Sequence, residues 1–514
     1  MKKILALMLT TLLLTGCGKA PVAELTLPES TSASTVPAET QPEAAAYVSQ
    51  FLKETRIFLS DQEIVVDGNQ EAVTTSHDIV YYEDRDTYAS GNPYGDGSSA
   101  DKHTAEEAAA HTVVNITRPG AYRVTGKLSA GQIRIDLGSD AYYDPDAVVE
   151  LILDNADITC TVAPAILFRN VYECDGEWSP ETATADVDTG AAGAHLILEG
   201  SNTVHGSYVA KIYKDTEGQK KLVKQDGAIY SYMSLNVWGP GALELTAENE
   251  GLDTELHLTI QSGDIRILSG NDGINTNEDG VSVTTINGGN LTICAGLGQE
   301  GDGIDSNGYL VINGGFVYAS AKPVSDAGLD SDLGSFLHGG TIIATGSPMD
   351  WAESGSRQVT MNLQFAQQQA AGAKVTIVDA NGAEIFSFEE DSHQARGFRG
   401  LILSHSAFSV GETYSIYVNG TQMAYSGNAL GGIPGGFGGR GPEGFDPGRM
   451  PQGERPEGFQ MPDDFDPTQF EGRMPENFDP TQRENRRPGD STAEPSTGFY
   501  MEDTVNAFSG VTAA

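Results

Sequence analysis

The chain has 514 residues and a strongly acidic composition, with 72 Asp and Glu residues against 30 Lys and Arg and a formal net charge of −42. Such an excess of negative charge argues against nucleic acid or anionic lipid as a partner and favours cations instead. The length is sufficient for a large hydrophobic core that needs no disulfide bond to stabilise it.

The N-terminus is predicted to be a lipoprotein signal peptide, residues 1–16. Lys2 and Lys3 precede an apolar stretch, and small residues lead up to Cys17, which resembles the processing site of bacterial lipoproteins. Cleavage before Cys17 and acylation of its thiol would anchor the protein to a membrane, because each buried methylene contributes about 0.8 kcal/mol. The alternative is an ordinary signal peptide with an unrelated cysteine. We therefore expect a lipid-anchored protein at the cell surface.

The mature chain is predicted to begin with a flexible tether, residues 17–46, which is rich in Ser, Thr, Pro and Glu. A short capping helix is expected over residues 44–58, at the start of a repetitive β domain that extends over residues 47–350. Its early part is irregular, and three polar insertions are expected to leave it as loops, at residues 83–111, 172–193 and 208–224.

The most regular part of the domain, residues 226–348, repeats a short acidic turn five times. The copies begin at Asp226-Gly227, Glu250-Gly251, Asp272-Gly273, Asp302-Gly303 and Ala327-Gly328. Self-similarity at a period of about 20 to 30 residues indicates a solenoid, in which each repeat buries its apolar face by stacking on its neighbours.

A second glycine in each repeat introduces an apolar strand. Aligning these glycines gives two columns of apolar residues. The column after the glycines contains Leu243, Ile265, Leu291, Val317 and Ile342. The column before them contains Trp238, Ile260, Ile286, Ile312 and Leu337. Apolar residues two apart have the period of a strand, and no stretch has the helical period. The sequence therefore predicts an all-β protein with a parallel β-helix. A leucine-rich repeat would need an asparagine ladder and a helical segment, and a propeller about 40 or more residues per blade.

The chain after the repeats changes character twice. Residues 351–427 alternate differently and are predicted to form a small antiparallel β unit that caps the solenoid, whose last strand would otherwise be an unpaired edge. Residues 428–495 are rich in Gly and Pro and repeat Phe-Asp-Pro, so they are predicted to be disordered. Residues 496–514 regain apolar residues and are predicted to dock as a last strand.

Stacked acidic turns predict a metal site. If Ile274, Ile304 and Leu329 face the core, the residues that follow them face outward, because strand side chains alternate. Two carboxylates one strand spacing apart, about 4.8 Å, repel each other by about 3.5 kcal/mol at an effective dielectric constant near 20. A divalent cation would neutralise such columns, and Ca²⁺ accepts flexible oxygen coordination better than Mg²⁺ does.

The predicted Ca²⁺ ligands belong to three successive turns. They are Asp272, Asn275, Asp302, Asp305, Asp330 and Asp332. The alternative is that Asp and Asn beside Gly simply form turns on a soluble surface. No EF-hand loop or calcium-binding nonapeptide supports the metal site.

Phe316 and Tyr318 are the candidate substrate-binding residues, because they flank the inward residue Val317 on one strand. If both rings are exposed, they can stack on sugar rings. The alternative is that they pack beneath the tail or the capping β unit.

The sequence resembles a family of exported bacterial carbohydrate-binding domain-containing proteins. The resemblance covers roughly residues 57–427 and rests on the repeat texture, for example Asp226-Gly227-Ala228-Ile229-Tyr230, and on Gly120 to Gly126. It implies a right-handed parallel β-helix with a shape similar to pectate lyases, Ca²⁺ in the Asp-Gly turns, and binding of cellulose or pectate-type polysaccharide along one face.

Three functions follow from these features. We expect first a non-catalytic, calcium-stabilised polysaccharide-binding protein. A calcium-dependent polysaccharide lyase is the second possibility; it needs a basic residue beside the metal, and only Lys322 lies close in sequence to the acidic columns. The third is a surface scaffold or adhesin that acts through the Phe-Asp-Pro tail.

Overall fold

The computed structural model describes residues 47–81, 103–176, 178–214, 220–298, 300–390, 396–428 and 495–514. The signal peptide, the tether, Cys17 and nearly all of the Phe-Asp-Pro segment lie outside the described residues. Within them, the α-helix is a single turn, α1 (Ala105–Ala109), and two short 3₁₀ helices span Gln70–Ala72 and Ser139–Tyr143. No described helix has the length and apolar character needed to cross a bilayer. The predicted all-β class is confirmed.

The N-terminal strands precede the regular repeats. They are β1 (Glu54–Leu59), β2 (Val65–Asp67), β3 (Val73–Ser76), β4 (Thr112–Ile116), β5 (Gly120–Leu128), β6 (Gly131–Asp136), β7 (Val149–Cys160), β8 (Ile166–Asn170), β9 (Ala194–Glu199), β10 (Ser201–Gly206), β11 (Val209–Lys214) and β12 (Lys220–Gln225). The helix expected over residues 44–58 is wrong where the structure describes it, because β1 begins at Glu54 within this range and pairs in parallel with β5.

The strands of the regular repeats follow. They are β13 (Gly227–Ser231), β14 (Leu235–Trp238), β15 (Ala242–Ala247), β16 (Glu250–Thr254), β17 (Leu258–Ile260), β18 (Asp264–Ser269), β19 (Ile274–Thr276), β20 (Val283–Ile286), β21 (Asn290–Cys294), β22 (Ile304–Ser306), β23 (Tyr309–Ile312), β24 (Phe316–Ser320), β25 (Gly334–Leu337) and β26 (Thr341–Gly346).

The C-terminal strands complete the described chain. They are β27 (Thr360–Phe365), β28 (Lys374–Val378), β29 (Glu384–Glu389), β30 (Gly400–Ser404), β31 (Thr413–Val418), β32 (Thr421–Ala424), β33 (Gly427–Asn428), β34 (Phe499–Tyr500) and β35 (Val505–Ala513).

Each repeat contributes one strand to each of three parallel ladders. The first ladder follows the acidic turns and contains β4, β6, β8, β13, β16, β19 and β22. The second ladder contains β9, β14, β17, β20, β23 and β25, and the third contains β10, β15, β18, β21, β24 and β26. β5 and β7 are long strands that take part in two ladders. Their first halves belong to the second ladder, and their second halves belong to the third.

The register of the third ladder matches the predicted column. Leu243, Ile265, Leu291, Val317 and Ile342 face one another in successive strands and are fully buried. The second ladder differs at its start, because Val237 and not Trp238 pairs with Ile260. Val237 is buried, whereas Trp238 points outward and its ring contacts that of Tyr47.

Glycine is required where the second ladder turns into the third. Gly289 and Gly315 have φ angles of 90° and 88°, in the left-handed region that residues with a Cβ rarely adopt. A Cβ on Gly315 would also lie 2.7 Å from the carbonyl oxygen of Gly289. The corner glycines therefore permit the tight turn between the two ladders.

The C-terminal unit, β27–β35, pairs with the last strand of the third ladder. Strand β30 runs antiparallel to both β26 and β27, and thereby covers an edge that would otherwise be open. The unit has its own core, which includes Phe365, Phe398 and Phe508 and packs against Tyr318. Its strand β35 lies beside β27, β32 and β33, so residues 496–514 belong to this unit.

The described residues that flank positions 429–494 lie next to each other. The backbone N–H of Tyr425 donates to the carbonyl of Ser496 at 2.9 Å, and the N–H of Ser496 donates back at 3.0 Å. The Phe-Asp-Pro segment is therefore an insertion between two paired segments of the C-terminal unit.

Candidate functional site

The outer face of the first ladder carries a column of polar side chains. Strand register places Asp253 beside Asn275 and Asn275 beside Asp305. A bridge between Ile304 and Leu329 brings Asp330 next to Asp305. Four successive turns thus align the side chains that the sequence predicted to align.

A second column lies immediately before the turn glycines and contains Glu250, Asp272 and Asp302. The Oδ1 atom of Asp272 accepts a hydrogen bond from the backbone N–H of Asp302 at 2.7 Å. The Oδ1 atom of Asp302 accepts one from the N–H of Ala327 at 2.5 Å. Each aspartate thereby links its turn to the next.

Amide side chains are interspersed among these acids. Asn277 donates its Nδ2 hydrogen to Oδ1 of Asp253 at 2.6 Å. Asn275 and Asn271 donate to the two carboxylate oxygens of Glu250 at 3.3 and 3.2 Å. These neutral donors hold the carboxylates in place without removing their negative charge.

The densest group of carboxylates is Asp226, Glu250 and Asp253. One carboxylate oxygen from each lies within 4.8 Å of the others, and all three residues are buried. Lys224 contributes the nearby positive charge, with Nζ 2.5 Å from Oδ2 of Asp226. Among the described residues, Oδ2 of Asp253 and Oδ1 of the adjacent Asn275 have no hydrogen-bond partner. This combination of clustered and unpartnered oxygens is suited to a hard cation.

The prediction from sequence did not select these three residues as ligands. Asp226 belongs to the first copy of the turn, but Gly227 faces Glu250 and Ile229 faces Leu252, so this copy is one residue out of register with the second. Aligning the copies on their glycines therefore displaces Asp226. The signal that could have identified it was the Asp-Gly pair itself.

The other end of the columns contains Asp330, Asp332 and Asp350. The backbone N–H of Ser331 donates to Oδ1 of Asp330 at 2.9 Å and to Oδ2 of Asp350 at 3.2 Å, so the two carboxylates converge. Asp350 was not predicted, because it follows the last repeat. Asp332 is exposed and lies at the rim.

Burial and mutual repulsion raise the pKa values of these carboxyl groups. Burial, followed by the charge of Glu250, raises the pKa values of Asp253 and Asp272 well above the usual range. Burial and Asp330 raise the pKa of Asp302 to about 7 and that of Asp305 to about 8. The columns therefore favour a bound proton or a bound cation over free carboxylates.

These raised pKa values predict that the metal-free protein loses stability as the pH rises. Each of these carboxyl groups binds its proton more tightly in the folded state than in the unfolded state, where its pKa is about 3.9. Their contribution is complete below about pH 4 and is lost as the pH rises through the folded values of about 7 and 8. We expect the melting temperature in chelator to fall between pH 5 and about 8, as measured by calorimetry; a constant or rising value would contradict this.

The aromatic pair Phe316 and Tyr318 does not lie on an open face. Tyr318 is only 8 % exposed and packs with Ile343 in the core of the C-terminal unit, and Phe316 is half-buried against the same core. The expectation that both rings are exposed is wrong, because the strands after the repeats fold back over this part of the third ladder.

Lys322, the predicted basic residue of a lyase, bonds to the backbone. Its Nζ donates to the carbonyl of Gly298 at 2.5 Å. Lys224 is instead the lysine that contacts a carboxylate of the acidic cluster. The sequence analysis did not select Lys224, because it expected residues 208–224 to be a loop, whereas Lys224 lies near the end of the β11–β12 hairpin, two residues before Asp226.

Comparison with known proteins points to carbohydrate recognition. A family profile described as carbohydrate-binding domain-containing protein matches residues 110–396. A solved structure of a polysaccharide lyase-like protein from C. thermocellum, in a gadolinium derivative, shares 20 % sequence identity, covers 56 % of this chain and 94 % of that chain, and has a TM-score of 0.33. No curated protein matches the chain.

Proposed function

Because this chain belongs to the family of carbohydrate-binding domain-containing proteins, we propose that it is a non-catalytic extracellular polysaccharide-binding protein, anchored to a membrane through lipidated Cys17. The family profile spans the strands from β4 to β29, which include the acidic columns. Plant cell-wall polysaccharides, either cellulose or pectate-type, are the ligands to test first. The three parallel ladders are taken as the faces of a right-handed parallel β-helix, with β27–β35 as its cap.

Calcium is proposed as the ion that stabilises the repeats. The acidic columns offer carboxylate and amide oxygens, which Ca²⁺ prefers, and unpartnered buried oxygens on Asp253 and Asn275. Asp226, Glu250 and Asp253 would hold one ion. The residues predicted from sequence, Asp272, Asn275, Asp302, Asp305, Asp330 and Asp332, are proposed as further ligands along the columns.

Bound Ca²⁺ supplies positive charge to carboxylates that otherwise repel each other. Hydrogen bonds within the chain hold the carboxylates in position. The amides of Asn271, Asn275 and Asn277 orient them. The side chains of Asp272 and Asp302 link successive turns. The ion thus stabilises the spacing of the turns, on which a binding surface that spans several repeats depends.

A calcium-dependent lyase is a second candidate, because Lys224 contacts the densest acidic cluster. A lyase base must lose its proton near neutral pH. The negative charge of Asp226 raises the pKa of Lys224. A lysine held in the protonated form is a poor base, so this observation favours binding over catalysis.

Affinity electrophoresis of the full chain in gels containing a cellulose derivative or polygalacturonate tests the proposal. We expect retardation by at least one polysaccharide with Ca²⁺ and weaker retardation with chelator; mobility equal to that in a gel without polysaccharide would contradict it. Sustained release of unsaturated product that is lost in Lys224→Ala or Lys322→Ala would favour the lyase. A scaffold acting through its tail would lose binding when residues 429–494 are deleted.

A further inference from the structure

Three aromatic residues outside the acidic columns form a cluster at the protein surface, which we call the aromatic platform: Tyr142, Tyr143 and Trp178. Tyr142 and Tyr143 end the 3₁₀ helix Ser139–Tyr143, between β6 and β7, and Trp178 lies between β8 and β9. Both segments connect the first ladder to the second in successive repeats. The platform therefore sits on two stacked loops.

The platform is held rigidly by contacts within and between the loops. The rings of Tyr142 and Tyr143 meet edge to face, with centroids 4.7 Å apart and planes at 73°. The Trp178 side chain hydrogen-bonds to the Tyr142 hydroxyl. Backbone bonds join the loops, from the N–H of Glu173 to the carbonyl of Tyr142 at 3.1 Å and from the N–H of Tyr172 to that of Ala147 at 3.0 Å.

Tyr143 nevertheless remains open to solvent, with 73 % of its surface exposed. Tyr142 and Trp178 are half-buried and support it from the protein side. A large aromatic side chain left exposed on an ordered loop provides contact area at a low entropic cost, because binding does not need to order it further. Such a residue is typical of the few that dominate the energy of an interface.

The charge around the platform selects among sugars. Residues 139–148 and 171–193 contain nine Asp and Glu and no Lys or Arg. Asp140, Asp144 and Asp146 are exposed around Tyr143. Their carboxylates accept hydrogen bonds from sugar hydroxyls but repel the carboxylates of a uronate polymer.

We propose that Tyr143, supported by Tyr142 and Trp178, stacks on the ring face of a neutral pyranose in a polysaccharide, with the surrounding aspartates accepting its hydroxyl hydrogen bonds. This assignment rests on the proposed function and specifies its ligand class as neutral, cellulose-type glycan. The polyuronate alternative is an outcome of the test below.

The test compares Tyr143→Ala with the wild-type full chain, in Ca²⁺, for binding to soluble cello-oligosaccharides and to polygalacturonate by calorimetry. We expect about tenfold weaker binding of the neutral oligosaccharide, the loss typical of an interface residue of this kind. Tyr143→Trp should retain binding, because stacking needs a ring and not the hydroxyl. Tyr500→Ala is the matched control, since Tyr500 is 50 % exposed on β34 in the C-terminal unit.

The outcomes separate this inference from the proposed function. Unchanged binding of the neutral oligosaccharide by Tyr143→Ala would overturn the platform while leaving polysaccharide binding in place. A wild-type protein that binds polygalacturonate but not the neutral oligosaccharide would also overturn the platform while leaving polysaccharide binding in place. A wild-type protein that binds neither polymer would overturn both.

Discussion

Replacing Asp253 by Asn is expected to change the stability of the protein in opposite directions with and without calcium. At pH 8 in chelator, the variant should be more stable by about 1 kcal/mol, because one carboxylate is removed from a repelling group. With Ca²⁺ at about 100 times its dissociation constant, the wild type should gain about 2.7 kcal/mol, roughly 3 °C in melting temperature. The variant should gain much less, because it lacks a charged ligand.

Differential scanning calorimetry of both proteins in chelator and in Ca²⁺ measures this reversal. Asp67→Asn, in the exposed strand β2, is the matched control and should follow the wild type in both buffers. Equal calcium shifts in wild type and Asp253→Asn would show that the cluster does not hold the ion.

Shortening the C-terminus is expected to destabilise the protein, whereas removing the Phe-Asp-Pro segment is not. Truncation before residue 496 removes β34 and β35, and with them Phe499 and Phe508, which are 0 % and 2 % exposed. Phe508→Ala alone should cost about 3 to 5 kcal/mol, the usual effect of deleting a buried Phe side chain. Thermal or denaturant unfolding of the variants measures both effects.

The matched variant deletes residues 429–494 and joins the flanking strands with a short Gly-Ser linker. Because Tyr425 and Ser496 are already hydrogen-bonded, the join does not separate any paired strands. We expect the variant to be as stable as the wild type or more stable by up to about 2 kcal/mol, since each halving of a flexible loop lowers its closure cost by about 0.6 kcal/mol. A large loss would mean that the deleted residues contribute to the core.

The regular repeats were predictable because their signals are local. Glycine at each corner and apolar residues two apart specify where strands begin and which side chains point inward, so the column from Leu243 to Ile342 follows directly. Trp238 was misplaced because the preceding coil is irregular, and its register follows β9, which no repeat signal marks. Propensity favoured a helix at residues 44–58, but pairing with β5 makes the part from Glu54 onward a strand.

The candidate site was only partly predictable, because contacts outside the repeat pattern complete it. Aligned turns placed Asn275, Asp305 and Asp330 in one column, as their spacing predicted. The contact of Lys224 with Asp226 depends on a hairpin outside the repeat pattern. Tyr318 was expected on an open face, and only the folding of a later segment onto its strand buries it. Burial of a strand face by distant residues leaves no periodic signal.

The most direct test of the central claim is anomalous scattering from crystals of the full chain grown with terbium, a luminescent substitute for calcium. The claim is that stacked turns create a cation site that no single turn provides. It predicts an anomalous peak among the carboxylates of Asp226, Glu250 and Asp253, reduced when calcium is added in excess. Well-ordered carboxylates with no peak along either acidic column would contradict it.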